Sequence, residues 1–249
     1  MKYFLFCFKH FFLSFFSFFT FPETCNFCGK SSFVIPICSC CQKKLILTKI
    51  ENRCKICGKE LFFEKDLCTN CRKENSRFLD FESMYPVFSY VLQKKRLLFL
   101  WKIQNHRSMG FFFAKILNNI IREKYPNIPI VPVPPRQKKL LEKGWDQIED
   151  LASILENKYN LSILRILERT NETEQKKLSK DERLSKTKNS YTVKKSFLED
   201  IDNEKTNLPK EVIVLDDVIT TGSTLCSCKE ILCSLGIEKI HGLSLFIVP

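Results

Sequence analysis

Beyond residue 84 the chain alternates short apolar runs with stripes of apolar residues at helical spacing, the pattern of strands and helices taken in turn. Tyr85 to Leu92 reads as a strand, and Leu97 to Lys124 as one or two amphipathic helices with Leu98, Trp101, Phe112, Ile116 and Ile120 on their apolar faces. The unbroken run Ile128 to Val133 suits a parallel strand buried on both faces. Prolines end it and force a loop, in which Arg136, Lys138 and Lys139 would meet an anion at the carboxyl end of a sheet. Trp145, Ile148, Leu151, Ala152 and Leu155 then make a helix stripe. Val212 to Leu215 is a second buried strand, and Leu225, Ile231, Leu232 and Leu235 mark the helix after it, closed by Gly236. This order predicts an α/β domain over residues 85–249, a parallel sheet flanked by helices.

Three stretches depart from that pattern. Residues 168–211 are polar without sustained apolar periodicity, and a loop so long inside a compact domain reads as a flexible lid. Residues 72–84 form a charged, helix-compatible link. At the start, Leu5, Phe8, Phe12, Phe15 and Phe19 recur at helical spacing until Pro22, which predicts an apolar leader helix over 1–22. Its uninterrupted run from Phe11 to Phe21 falls short of the about 20 residues that span a bilayer, and no small-x-small cleavage site follows. An integral membrane span is therefore not expected; contact of the leader with a membrane surface stays open.

Composition adds a sign and a compartment. Forty Lys+Arg against 28 Asp+Glu give a formal charge of +12, which suits an anionic partner, although the lysines are scattered and mark no single patch. Eight of the 13 cysteines fall as C-x2-C pairs, the spacing of intracellular metal sites rather than of secreted disulfides, so a cytoplasmic protein is expected. The pairs are Cys25/Cys28, Cys38/Cys41, Cys54/Cys57 and Cys68/Cys71, with nine residues inside the first pair of pairs and ten inside the second. Each turn points two thiolates at one ion, and two turns complete a tetrahedral zinc site. Sequential pairing gives two consecutive zinc ribbons over residues 23–75; cross-bracing is the alternative. Gly29 and Gly58 follow a knuckle where left-handed backbone is common, and Cys40 is a spare thiol beside Cys41. So small a module depends on its metal to fold, which makes all-thiolate sites structural. Gly29-Lys30-Ser31-Ser32 is no Walker loop, because Thr24 stands where its first glycine belongs.

The densest chemistry lies at residues 212–225, VIVLDDVITTGSTL. Thr220, Thr221, Ser223 and Thr224 offer hydroxyls, Gly222 allows close backbone approach, and a helix start adds N–H groups with partial positive charge, which together make a phosphate site. Asp216 and Asp217 would repel a bare phosphate, so they call for hydrogen-bond donors a sugar's length away, such as vicinal hydroxyls. Ribose 5-phosphate satisfies both halves. A D-x-D phosphatase strand is disfavoured by Val218, and a Walker B reading lacks its Walker A. His10, His106 and His241 occupy no motif position; His241, in the last strand, reads as a satisfied core histidine.

VIVLDDVITTGSTL resembles the phosphoribosyl pyrophosphate (PRPP) loop of type I phosphoribosyltransferases, and the chain as a whole resembles the ComF family of competence proteins. The likeness runs through Phe21-Pro22, the four knuckles, Trp101-Lys102-Ile103, VPVP at 131–134 and KGWDQIEDLA at 143–152. In the last of these Lys143, Trp145 and Asp146 replace residues of the usual Arg-Gly-Phe-Asn-Gln, while Gly144 and Gln147 stay. Arg169, Thr170, Gln175, Leu178, Arg183 and Asn189 match the family's spaced lid residues. The resemblance implies that Asp216 and Asp217 bond the ribose hydroxyls of PRPP and that Thr220, Thr221, Gly222, Ser223 and Thr224 hold its 5-phosphate. It further implies that the loop of Pro134, Pro135 and Arg136 faces pyrophosphate with Mg2+. Thr220 stands where purine-salvage relatives carry an acid, which argues against a purine acceptor. Three functions follow as expectations: a competence factor handling single-stranded DNA with the competence machinery, a nucleobase phosphoribosyltransferase, and a non-catalytic PRPP-sensing adaptor.

Overall fold

The computed structural model describes residues 23–47, 52–72, 76–170, 191–202 and 207–248. The leader helix expected over 1–22 lies outside them, as do Gln175, Leu178, Arg183 and Asn189. Among the described residues no helix is long and apolar enough to cross a membrane.

A short antiparallel pair, β1 (Glu23–Thr24) and β2 (Ser31–Ser32), and helix α1 (Ser39–Leu47) make up the first cysteine-rich unit. The larger unit opens with β3 (Ser83–Ser89), followed by α2 (Leu92–Lys102), α3 (Met109–Lys124), β4 (Ile130–Pro132), α4 (Gln137–Lys143) and α5 (Gln147–Tyr159). After these come β5 (Leu167–Arg169), β6 (Tyr191–Val193), α6 (Lys195–Asp202), β7 (Glu211–Ile219), α7 (Ser223–Ser234) and β8 (Lys239–Ile247). Four strands form a parallel sheet in the order β3-β8-β7-β4, with Ile213 opposite Ile130 and Leu215 opposite Leu243.

Side-chain alternation along β7 divides the core in two. Ile213 and Leu215 point into a cluster with Leu97, Trp101, Phe113 and Leu151, whereas Val212 and Val214 join Leu225, Leu232 and Ile240 on the other face. The cysteine-rich units follow the same division. Cys25, Ile37 and Cys38 pack into the first cluster, and Cys54, Leu61, Cys68 and Cys71 into the second. At the open edge of the sheet, Arg53 donates to the Pro86 carbonyl of β3 at 2.7 Å and to the Gly58 carbonyl at 2.8 Å, while its guanidinium lies 4.3 Å from the centre of the Tyr85 ring. An edge strand that carries a proline is thereby capped by an arginine.

Several sequence expectations are corrected. β3 runs from Ser83 to Ser89 rather than from Tyr85 to Leu92, because its edge pairing with β8 sets the register. The expected helical stretch is two helices, the second of the alternatives, and its first helix begins at Leu92 rather than Leu97. Lys138 and Lys139 belong to α4, not to a loop, and Gly144 closes that helix in a left-handed conformation. The link before β3 forms turns at 77–80 instead of helix. Within the described parts of the polar segment there is regular structure: Leu167–Arg169 and Tyr191–Val193 pair as antiparallel β5 and β6, and α6 follows. Finally β7 extends to Ile219, since parallel pairing with β8 continues past Asp216 and Asp217.

Two glycines at equivalent positions provide a test. Gly29 and Gly58 both have left-handed φ, +73° and +68°, yet a Cβ on Gly29 meets nothing within 4 Å, whereas one on Gly58 would lie 2.3 Å from the Met84 carbonyl oxygen. Gly29→Ala should cost only the left-handed penalty of about 1–2 kcal/mol. Gly58→Ala should lower the denaturant midpoint markedly more, because the second unit must lift off β3.

Candidate functional site

The carboxyl ends of β4 and β7 lie side by side, with Val133 N–H bonded to the Leu215 carbonyl at 2.9 Å. That bond places Pro134, Pro135 and the exposed Arg136 next to Asp216. Asp216 is buried at 9% exposure, and its Oδ1 accepts the Asp217 N–H at 2.7 Å. Burial first, and then the neighbouring Asp217 charge, raise its pKa to about 7. Asp217 pairs instead with Lys102, Nζ to Oδ2 at 2.5 Å. Lys143 holds the end of α2 by donating to the Lys102 carbonyl at 3.0 Å. One carboxyl of the pair is thus buried and the other sits beside a cation.

Beyond Ile219 the chain turns through Thr220, Thr221 and Gly222 into α7. Gly222 has φ +78° and is the N-cap, with no side chain capping the helix. Thr220, Thr221 and Ser223 are exposed, and the Thr221 and Ser223 hydroxyls are 3.0 Å apart. Hydroxyls and an uncapped N-terminus of a 12-residue helix therefore face solvent together. Thr224 is half-buried and bonds the Tyr191 side chain, whose pKa is raised chiefly by burial. Arg169 donates to the Tyr191 hydroxyl at 3.0 Å, which brings the base of the β5–β6 hairpin against the start of α7. A cavity of about 160 Å³ opens between Pro134 and Pro135 on one side and Glu168, Arg169 and Lys194 on the other. Arg165 at its rim is committed to Glu149 at 2.6 Å and Glu156 at 2.9 Å.

The eight knuckle cysteines gather sequentially: Cys25, Cys28, Cys38 and Cys41 in one group and Cys54, Cys57, Cys68 and Cys71 in the other, each with its sulfurs within 4.8 Å of one another. The 3.6 Å between the sulfurs of Cys28 and Cys38, and the 3.7 Å between those of Cys57 and Cys68, match the edge of a tetrahedron with zinc–sulfur bonds of about 2.3 Å. Both donor sets fit zinc. Some of these thiols are already biased toward thiolate: against the cost of burial, backbone N–H groups bring Cys25 down to about 6 and Cys54 to about 7, and the Cys41 N–H lowers Cys38 as well. Cys40 is exposed and stands outside the first group.

His241 lies away from this site. Its Nδ1 is 2.8 Å from Ser83 Oγ and its Nε2 is 2.8 Å from Glu211 Oε1, at the amino-terminal edge of the sheet. Sequence reasoning gave no role to Tyr191 or to Lys102 as the partner of Asp217. The signal for Tyr191 was slight, an aromatic residue ending a long polar stretch; for Lys102 nothing local pointed 115 residues ahead (217 − 102).

Fold and site define a class: an α/β protein with an acidic pair and a hydroxyl loop at the carboxyl edge of a parallel sheet, joined to two four-cysteine units that fit zinc ribbons. No protein-family model matches the chain. Competence protein F of Haemophilus influenzae is 29% identical over 215 residues, 82% of this chain and 87% of that protein. Competence protein ComFC of Streptococcus pneumoniae is 23% identical over 235 residues, 89% of this chain and 98% of that protein. The likeness to these two competence proteins runs over nearly the full length of the chain, and both cysteine groups lie within it.

The buried acid has a pH signature. Its folded pKa is raised from 3.8 to about 7, so between those values the folded state binds more protons than the unfolded one. Its contribution to stability is then fully present below about pH 4 and is lost as pH rises toward 7. The wild type minus Asp216→Asn difference in unfolding free energy should decline across that window by a few kcal/mol, read from denaturant titrations at successive pH values. Lys102 favours the charged form of Asp216, so Lys102→Met should shift the window upward.

Proposed function

We propose that the carboxyl edge of the sheet binds PRPP or a related 5-phosphorylated ribose, and that the protein uses this site in handling incoming single-stranded DNA during natural competence. The observation that carries the ligand is the order of groups along one strand and turn: a carboxylate pair at Asp216 and Asp217, then exposed hydroxyls at Thr220, Thr221 and Ser223 on an uncapped helix start. Carboxylates take the ribose hydroxyls as donors, and the hydroxyls and helix N-terminus take the 5-phosphate. The loop of Pro134, Pro135 and Arg136, with Arg169 and Lys194 across the cavity, supplies positive charge for a pyrophosphate. Among the described residues only the two cysteine groups bring three or more metal-ligating side chains together. Mg2+ would accordingly be held through pyrophosphate oxygens and water, which suits its preference for partial hydration.

A transfer reaction at this site would break the bond from C1 of the ribose to pyrophosphate, the electron pair leaving with the pyrophosphate and an oxocarbenium-like C1 awaiting an acceptor. Thr220 offers no acid to an incoming base. This favours a site that binds or senses PRPP, or one with a non-purine acceptor, over purine salvage. The competence role rests on the names of the two similar proteins. Single-stranded DNA is the partner that fits a chain of charge +12 in that setting.

Calorimetric titration of the zinc-loaded protein with PRPP and Mg2+ should show saturable binding that is lost in the Asp216→Ala, Asp217→Ala double variant. Absence of binding by the wild type would overturn the ligand. Single-stranded DNA affinity should fall steeply with salt, as phosphate contacts release counterions. A flat response or no binding would remove the DNA partner while leaving the PRPP site standing.

A further inference from the structure

The phosphate loop is backed by a residue from the cysteine-rich half of the chain. Gly222 lies so close to Phe78 that a Cβ on it would sit 2.4 Å from both Cε1 and Cζ of the ring. The left-handed turn that starts α7 is therefore packed tightly against the Cε1–Cζ edge of an aromatic ring, at the point where Thr221 and Ser223 present their hydroxyls. One turn further along α7, Cys226 Sγ contacts the Arg77 carbonyl at 3.4 Å, and Lys229 Nζ stands 5.6 Å from the centre of the Phe81 ring. Residues 77–81 thus form a strap across the beginning of that helix.

The other end of the strap is tied to the second four-cysteine group. Ser76 Oγ lies 3.5 Å from Sγ of Cys71, one of the four thiols of that group. Phe81 packs in the same buried cluster as Cys54, Cys57, Cys68 and Cys71, and that cluster continues to Leu225 and Cys228 of α7. The path from metal site to phosphate loop is short and made of packed groups: Cys71, Ser76, Phe78, Gly222. Removing the metal leaves a unit too small to keep its own fold, so the strap loses its anchor and the loop loses its backing.

We propose that Phe78 is a positioning residue that couples metal occupancy of Cys54, Cys57, Cys68 and Cys71 to phosphate binding at Gly222. Zinc in that group orders the strap, the strap holds the loop, and a ligand in the loop holds the strap in return. Coupling of this kind is reciprocal: the factor by which zinc tightens the phosphate ligand is the factor by which that ligand tightens zinc. The inference rests on the phosphate-site reading above and adds a regulator to it. The first four-cysteine group packs on the opposite face of the sheet and has no part in this path.

The test uses the full zinc-loaded chain with ribose 5-phosphate as the probe. Calorimetry gives its affinity, and a chromogenic chelator follows the release of zinc with and without it. In the wild type, ribose 5-phosphate should slow release of one of the two zinc equivalents, by roughly fivefold or more if the coupling has the usual size. Phe78→Ala should weaken ribose 5-phosphate and abolish the protection while still holding both zinc ions, and Phe78→Leu, which restores an apolar backing, should recover part of each. Binding by the wild type without protection of zinc overturns the coupling alone, as does equal protection in Phe78→Ala. No binding by the wild type overturns the phosphate site and the coupling together. Should Phe78→Ala prove unfolded, the wild-type protection and the Phe78→Leu variant decide the matter.

Discussion

A parallel sheet must be covered on both faces, and this one has only four strands with which to organise the cover. Everything else in the molecule is arranged around that constraint. Helices α2, α3 and α5 fill one face through Trp101, Phe113 and Leu151, and α7 covers the other through Leu225 and Leu232. The cysteine-rich units supply what the helices leave, one on each face, close to the edge strand β3. They are parts of the two cores and not appendages, and Arg53 and Gly58 show how tightly the second is fitted to the strand.

Covering the sheet this way leaves its carboxyl edge open, and the polar chemistry gathers there. Extension of β7 through Asp217 carries one carboxyl out of solvent and beside a second acid, where ionisation is costly. Its neighbour is held by Lys102, delivered from the end of α2 by a helix whose Trp101 is fully buried. A ligand with hydroxyl donors would meet one acid whose ionised form burial disfavours and donors would stabilise, and another that must first release a lysine. The same edge collects Arg169 and Tyr191 from the two ends of the polar segment, which ties that segment to the start of α7.

Much of this was legible in the residues because it is local. The C-x2-C spacing marks the eight thiols as four two-ligand turns and favours sequential grouping, since turns nine or ten residues apart can reach one centre; the structure chose that grouping over cross-bracing. Strand, acid pair, hydroxyl turn and helix stripe also follow one another along a single stretch, Val212 to Leu235. Boundaries were less legible. Propensity alone stops β7 at Leu215, whereas pairing with β8 carries it four residues further. Lys138 and Lys139 look like loop residues after a run of prolines, yet α4 takes them up and Gly144 ends it.

What the sequence by itself determined, then, is the alternation of elements, the four C-x2-C turns and the presence of one dense polar stretch, each governed by contacts a few residues apart. Only the tertiary structure decided which remote groups meet that stretch. Lys102 reaches Asp217, Arg169 reaches Tyr191, Tyr191 reaches Thr224, and Phe78 lies against Gly222. No periodicity or spacing encodes these meetings. They depend on the order in which parallel strands are laid into the sheet and on the two buried cores that fix the helices and cysteine units against it.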